Sequence, residues 1–304
     1  MKPPVLAEDT CCQQGSAGLR RGDKGKTMIV DCHTHLSTNE QWGPVFMKAF
    51  GQAYSGHGID LHCPPERHWK GAQGVDKVIA FGINSAFLQM HTPNDQIADY
   101  QRAHREKVIG FMSVDPTDPN AIEELERCVH DLKLRGIKMS PVYQGYEPMD
   151  PRAQELYRRV VEYNLPILVH SAYQSIPQTP MKWANPLLFD EVGMKFPDLK
   201  VIFAHVGLPW SLDTMVVVRK HHNFFADVSG VHSKPWWGYQ ALLTFCEFDL
   251  TQKLLFGSDF PIFTPEDTIQ GLRNLNHVVP GPKIPEDVIE GIIHRDTLKL
   301  LGLE

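Results

Sequence analysis

Five side chains define the chemistry this sequence can do. His33 and His35 are one residue apart, and His170, His205 and Asp259 each close a short apolar run. On an extended strand, residues i and i+2 point to one face, so the two imidazoles of Asp31-Cys-His-Thr-His35 can grip a single ion. Three neutral imidazoles with one carboxylate suit Zn²⁺, and also Mn²⁺ or Fe²⁺, and leave room for a water ligand. A lone histidine after an apolar strand is more often a hydrogen-bonded core residue. The set is what points to a site: four of the chain's 15 histidines and one aspartate share the same kind of position.

Elements of a definite kind must bring these residues together. Short runs rich in Val, Ile and Phe occur at 28–31, 77–81, 108–114, 136–139, 166–170, 200–205, 223–228 and 253–257. They are nearly continuous in apolarity, as strands buried on both faces should be. The segments between them carry helix punctuation. Ile122, Leu125, Val129 and Leu132 form one stripe ahead of Gly136, which stands where a C-cap glycine would. Asp150-Pro151 and Thr264-Pro265-Glu266-Asp267 read as helix starts, Asn164 as a left-handed stop, and 285–301 as a final helix on the outer ring. Eight strand–helix units describe an α/β protein, a (β/α)₈ TIM barrel, in which sites are built at the C-terminal strand ends. The five residues fall at the ends of expected strands 1, 5, 6 and 8. No strand runs into a glycine-rich nucleotide-binding turn, so a doubly wound sheet lacks its fingerprint. The stretch 36–74 is long for a crossover and holds Trp42, Phe46, Phe50, Tyr54 and Trp69. It is read as a lid-like insertion after strand 1, with a solvated insertion around its own small core as the alternative.

Composition sets the outer limits. The chain has 304 residues, 42% hydrophobic and 22% charged, which fits one large barrel or two ordinary domains. A formal charge of −6 gives no general reason to bind nucleic acid or an anionic membrane. No apolar run approaches the roughly 18 residues of a membrane span. Six cysteines without CxxC spacing read as reduced thiols. Residues 1–27 lack the apolar stretch of a signal peptide and are read as a disordered leader, with 28–304 as the barrel domain and the cytoplasm as the default location.

Taken in order, Asp31-Cys-His-Thr-His35, Gly136-Ile-Lys138, Leu168-Val-His170, Phe203-Ala-His205-Val-Gly207 and Phe256-Gly-Ser-Asp259-Phe-Pro261 resemble the amidohydrolase superfamily. Within it they most resemble the amidohydrolase-related branch that includes the aminocarboxymuconate-semialdehyde decarboxylases. The resemblance implies one metal per chain, most simply Zn²⁺ with Mn²⁺ or Fe²⁺ as alternatives, held by His33, His35, His170 and Asp259, with His205 beside the metal-bound water. Lys138 is the ambiguous position. In binuclear members a carboxylated lysine there bridges two metals, whereas here it is expected to contact an anionic substrate or a neighbouring carboxylate.

The chain departs from the decarboxylases of this branch in following His170 with Ser-Ala and His205 with Val-Gly-Leu-Pro-Trp210. These departures favour a metal-dependent hydrolase of a small-molecule amide, ester or lactone. Hydroxide on the metal would attack, and Asp259 would serve as general base and acid. The alternative is a non-oxidative decarboxylase of an aromatic or enoic carboxylic acid on the same site. A second alternative is a metal-free lactonase or a non-catalytic barrel. Tyr173 and Trp210 are expected to line the substrate pocket, and Asp227 either to hydrogen-bond a ligand histidine or to cap a turn. The partner is a small molecule, a carboxylic acid derivative, and a homo-oligomer is left open.

Overall fold

Every apolar run expected to be a strand is one. The computed structural model describes residues 28–304, so the expected leader lies outside the described residues. The strands are β1 (Val30–His35), β2 (Lys77–Phe81), β3 (Val108–Gly110), β4 (Met112–Ser113), β5 (Ile137–Met139), β6 (Pro166–Val169), β7 (Lys200–Phe203), β8 (Phe224–Asp227) and β9 (Leu254–Leu255). All pairings are parallel and follow sequence order, β1-β2-β3 and then β4 through β9. β3 and β4 are two pieces of one barrel strand that changes partners at Phe111. Its N–H donates to Ala80 at 3.0 Å, and the next N–H, of Met112, donates to Gly136 at 2.8 Å. The far edges meet as well: the N–H of Cys32 donates to Phe256 at 3.0 Å and that of His35 to Phe260 at 2.7 Å. The architecture is a TIM barrel.

Alternation along the strands divides their side chains between two cores. Ile79, Phe81, Leu168, Ile202 and Phe225 belong to the cluster inside the barrel. Val78, Ala80, Ile167, Val169, Val201 and Phe203 face the surrounding helices. Among the described residues no helix is long and apolar enough to cross a membrane.

Most helix punctuation behaves as its chemistry predicts. Asp150 accepts from the N–H of Arg152 at 2.9 Å, Thr264 and Asp267 form a capping box, and Asn164 sits at φ 54°. Two expectations are corrected. Gly136 does not close a helix: it lies beside the buried Phe111 ring, which a Cβ there would strike. The final helix is broken into Glu286–Ile293 and Thr297–Leu301, and Leu298 and Leu301 of the second piece join the inner cluster instead of the outer ring.

The insertion is packed down onto the barrel. Its Trp42, Phe46 and Leu61 share a core with Ile83, Tyr143 and Ile176, which follow β2, β5 and β6. It therefore covers the strand ends where the candidate residues lie. Its second helix, Pro65–Gly71, also braces β1 through His68. Thr34 donates its hydroxyl to Ile79 O at 2.7 Å, so it can only accept from His68 Nε2–H at 2.8 Å. His68 Nδ1 then accepts from the Tyr100 hydroxyl at 2.8 Å. Burial, with smaller effects from His35 and His104, pushes His68 down from 6.5 to about 3.

This neutral histidine makes stability pH-dependent. Between pH 6.5 and 3 the unfolded chain binds a proton that the folded His68 refuses, so its contribution is present above 6.5 and is lost as pH falls through that window. In urea titrations across this range, His68→Gln is expected to flatten the slope of stability against pH by up to about 1.4 kcal/mol per pH unit. An unchanged slope would show that His68 is not held neutral.

Candidate metal centre

The geometry begins with a buried carboxylate. Asp227 closes β8 at 0% exposure, and its Oδ2 lies 2.8 Å from His33 Nδ1. Its Oδ1 accepts from the N–H of His205 at 3.0 Å, from the N–H of Ser229 at 2.9 Å and from the Ser229 hydroxyl. Burial alone would raise its pKa, but His33, His205 and Ser229 together hold it well below the usual carboxylate range. The ionised carboxylate requires a proton on His33 Nδ1, which leaves His33 Nε2 as a lone pair. Burial, reinforced by the charge of Lys138, lowers His33 itself to about 3.

That lone pair faces more than one group. Asp259 Oδ1 lies 3.3 Å from it and Lys138 Nζ 3.2 Å. Two acceptors, an imidazole nitrogen and a carboxylate oxygen, at 3.3 Å repel unless a cation lies beside them, and the Lys138 ammonium is one such cation. His35 follows on β1 with its Nε2 3.2 Å from the same Asp259 oxygen. Burial would raise Asp259, yet the hydrogen bond from His35 and the nearby His205 and His33 keep its carboxyl well below the ordinary range.

The remaining two histidines come from the neighbouring strand ends. His170 follows β6, stacks on Tyr143 at 4.7 Å and meets the His205 ring edge-on at 5.4 Å. Its Nε2 is buried without a hydrogen-bond partner among the described residues, and burial holds the ring far below an ordinary histidine. His205 follows β7 in a left-handed turn, with φ 58° at His205, 46° at Val206 and 67° at Gly207. Non-glycine residues pay roughly 1–2 kcal/mol each for this conformation. Ser229 Oγ lies 2.8 Å from His205 Nδ1 and fixes the ring. Asp259 is also left-handed, at φ 68°, and its N–H donates to His33 O at 2.8 Å. Strained backbone at His205, Val206 and Asp259 is what a functional site tolerates.

One donor atom from each of His33, His205 and Asp259 lies within 4.8 Å of the other two. His35 joins through Asp259, and His170 borders His205. The donor set fits a divalent cation: three buried neutral imidazoles, a buried carboxylate and the partnerless His170 Nε2. His33, His35, His170, His205 and Asp259 are the residues that could hold it. The nitrogen–oxygen set alone does not choose Zn²⁺ over Mn²⁺ or Fe²⁺.

A cavity of about 470 Å³ opens onto His35, His170, His205 and Asp259. Tyr173 lines it, as expected. Trp210 does not: it packs against the apolar cluster under the insertion. Lys138 also lies off the cavity, 1% exposed and wedged between His33 and the Phe81 ring 4.6 Å away, so it cannot reach a substrate anion from there.

Sequence reasoning did not single out Ser229 or the bond pattern of Asp31. Asp31 accepts from Ser258 N–H at 2.9 Å and Ser258 Oγ–H at 2.6 Å, tying β1 to the segment that carries Asp259. Burial pushes Asp31 up to about 7. Asp-x-Ser two residues beyond a strand end was the available signal for Ser229, but serines are too common in loops for it to stand out.

Residues 30–303 match the family described as amidohydrolase. Over 251 residues, 69% of this chain, the sequence is 24% identical to a 2-amino-3-carboxymuconate-6-semialdehyde decarboxylase of Dictyostelium discoideum, and the match spans 66% of that protein's length, just under two thirds. An uncharacterised TIM-barrel protein from Bordetella bronchiseptica superposes with a TM-score of 0.70 at 18% identity, covering 90% of this chain and 98% of that one. A dihydroxybenzoic acid decarboxylase from Polaromonas, solved with manganese and the inhibitor 2-nitroresorcinol, superposes with a TM-score of 0.64 at 17% identity, covering 91% and 97%. At these identities the two structures speak for the shared fold.

Removing the charge that orients His33 should weaken metal binding without unfolding the protein. Asp227→Asn is expected to lower divalent-metal affinity by about 10- to 100-fold in a competitive chelator titration. Unchanged affinity would mean that Asp227 serves the fold alone.

Proposed function

The chain belongs to the amidohydrolase family and is an enzyme of that superfamily, and from that premise we propose that it is a metal-dependent decarboxylase of a planar, unsaturated or aromatic carboxylic acid. The observation that carries this reading is the form of the cavity: stacked aromatic side chains on one wall lead to a floor of histidines and a single carboxylate. The relatives support it, since both the Dictyostelium protein and the Polaromonas structure are decarboxylases. They favour decarboxylation over the hydrolysis of an amide, ester or lactone that the sequence put first. Manganese in the Polaromonas structure supports counting Mn²⁺ with Zn²⁺ as a candidate ion.

In this reading His33, His35, His170 and Asp259 hold the ion, and His205 stands beside it. A bound divalent ion supplies Lewis-acid polarisation of substrate oxygens. The chain's own residues do the rest. The reaction breaks the carbon–carbon bond to the carboxylate, releases carbon dioxide and leaves an electron pair on the ring or alkene carbon. A proton must reach that carbon. Asp259 is the only acidic side chain lining the cavity among the described residues, which makes it the group to take a proton from solvent and pass it on. His205, its Nδ1 occupied by Ser229, turns Nε2 toward the substrate and hydrogen-bonds its polar substituent. Trp42, Phe46 and Tyr143 give a planar substrate a flat seat and exclude water from it.

The test is to incubate metal-loaded protein with a panel of hydroxybenzoic and enoic acids, and separately with esters and lactones, following carbon dioxide release and ester cleavage. Carbon dioxide release from at least one acid is expected, abolished by chelation and restored by Mn²⁺ or Zn²⁺. Asp259→Asn should cut the rate by about 10²- to 10⁴-fold while circular dichroism shows a folded barrel. Ester or lactone turnover without carbon dioxide would replace this reading with the hydrolase. A wild-type rate in Asp259→Asn would remove Asp259 from its role.

A further inference from the structure

The cavity has an inner and an outer end, marked by one run of aromatic rings. Trp42, Phe46, Phe50 and Tyr54 recur every fourth residue through the turn Asn39–Trp42, the helix Pro44–Ala53 and its cap. Their rings stack in succession, with centroids 5.1, 5.7 and 4.6 Å apart and planes within 30°. Trp42 is itself 5.4 Å from the His35 ring. Burial relaxes along the run, from Trp42 and Phe46, which are buried, to Phe50 and Tyr54, which are half-buried. The ladder therefore leads from the histidine cluster toward solvent along a surface suited to planar π systems.

At the solvent end stands Lys234. It caps the helix Pro235–Glu247, is exposed, and is the only lysine or arginine lining the cavity among the described residues. Its ammonium makes no ion pair or hydrogen bond with any other described residue. The other lysine near the cluster, Lys138, is closed off behind His33 and Phe81. A cavity with a cation-binding floor and a single free cation at its mouth carries two places for negative charge, one at each end of an aromatic wall. A monoanion bound at the floor would leave the second place unused.

We propose that Lys234 anchors a second anionic group of the substrate, so that this enzyme prefers planar acids carrying two carboxylates, one at the histidine cluster and one at the mouth. The assignment of the inner carboxylate rests on the decarboxylase reading; the anchor at the mouth does not.

Isothermal titration calorimetry on the metal-loaded protein separates the two. The probes are benzoate against isophthalate and 2-naphthoate against naphthalene-2,6-dicarboxylate, with wild type, Lys234→Met and Lys234→Arg. In at least one pair the dicarboxylate is expected to bind about fivefold more tightly, the upper range for an exposed ion pair. That preference should vanish in Lys234→Met, persist in Lys234→Arg and shrink as salt is raised. No preference in the wild type, a preference that survives in Lys234→Met, or no binding of any of the four acids overturns the proposal. If the preference follows Lys234 but no acid releases carbon dioxide, the anchor stands and the decarboxylase reading fails.

Discussion

A carboxylate removed from water must be met by donors or it will not stay ionised, and Asp227 is met by four: the His33 ring, the N–H groups of His205 and Ser229, and the Ser229 hydroxyl. These donors come from β1, from the turn after β7 and from the chain just beyond β8. One buried charge thus ties the ends of β1, β7 and β8 together and settles where two imidazoles point. His33 carries its proton on the Asp227 side, so its other nitrogen faces the centre, while His205 is fixed through both its backbone N–H and Ser229. The rest of the centre is arranged around this anchor.

The fold bears the strain that the arrangement requires. Val206, a β-branched residue, its neighbour His205, and Asp259 all sit in the left-handed region. Such a conformation survives only where its surroundings over-determine it. Here the surroundings are the inner and outer apolar cores, the Asp31–Ser258 hydrogen bonds that hold the Asp259 segment against β1, and the bond from Asp259 N–H to His33 O. Short parallel strands supply the rigidity, and irregular backbone just beyond their ends supplies the directions in which the functional groups point.

Much of this was legible in the sequence because it depends on patterns of two and of 3.6. The eight apolar runs, the i, i+2 pair at His33 and His35, and the caps at Asp150 and Thr264 are local signals, and local physics decides them. The failures have a common cause. Lys138 lies on a strand of three residues, too short for alternation to reveal which face it takes. Trp210 follows a left-handed turn whose direction cannot be read from Val206, a residue that rarely adopts it. The strand that changes partners at Phe111 has that bulky ring packed beside Gly136, a contact between residues far apart in sequence. Ser229 and Lys234 acquire meaning only when the cavity brings them beside residues from other elements. Choosing between hydrolysis and decarboxylation was harder still, since the same histidines and aspartate serve both.

Whether the convergent histidines and Asp259 form a metal centre is decided by elemental analysis of the purified, thoroughly washed chain. About one equivalent of Mn, Zn or Fe per chain is expected, as suits a site of mixed nitrogen and oxygen donors. Protein that is metal-free, and stays so after incubation with each of these ions, would contradict it.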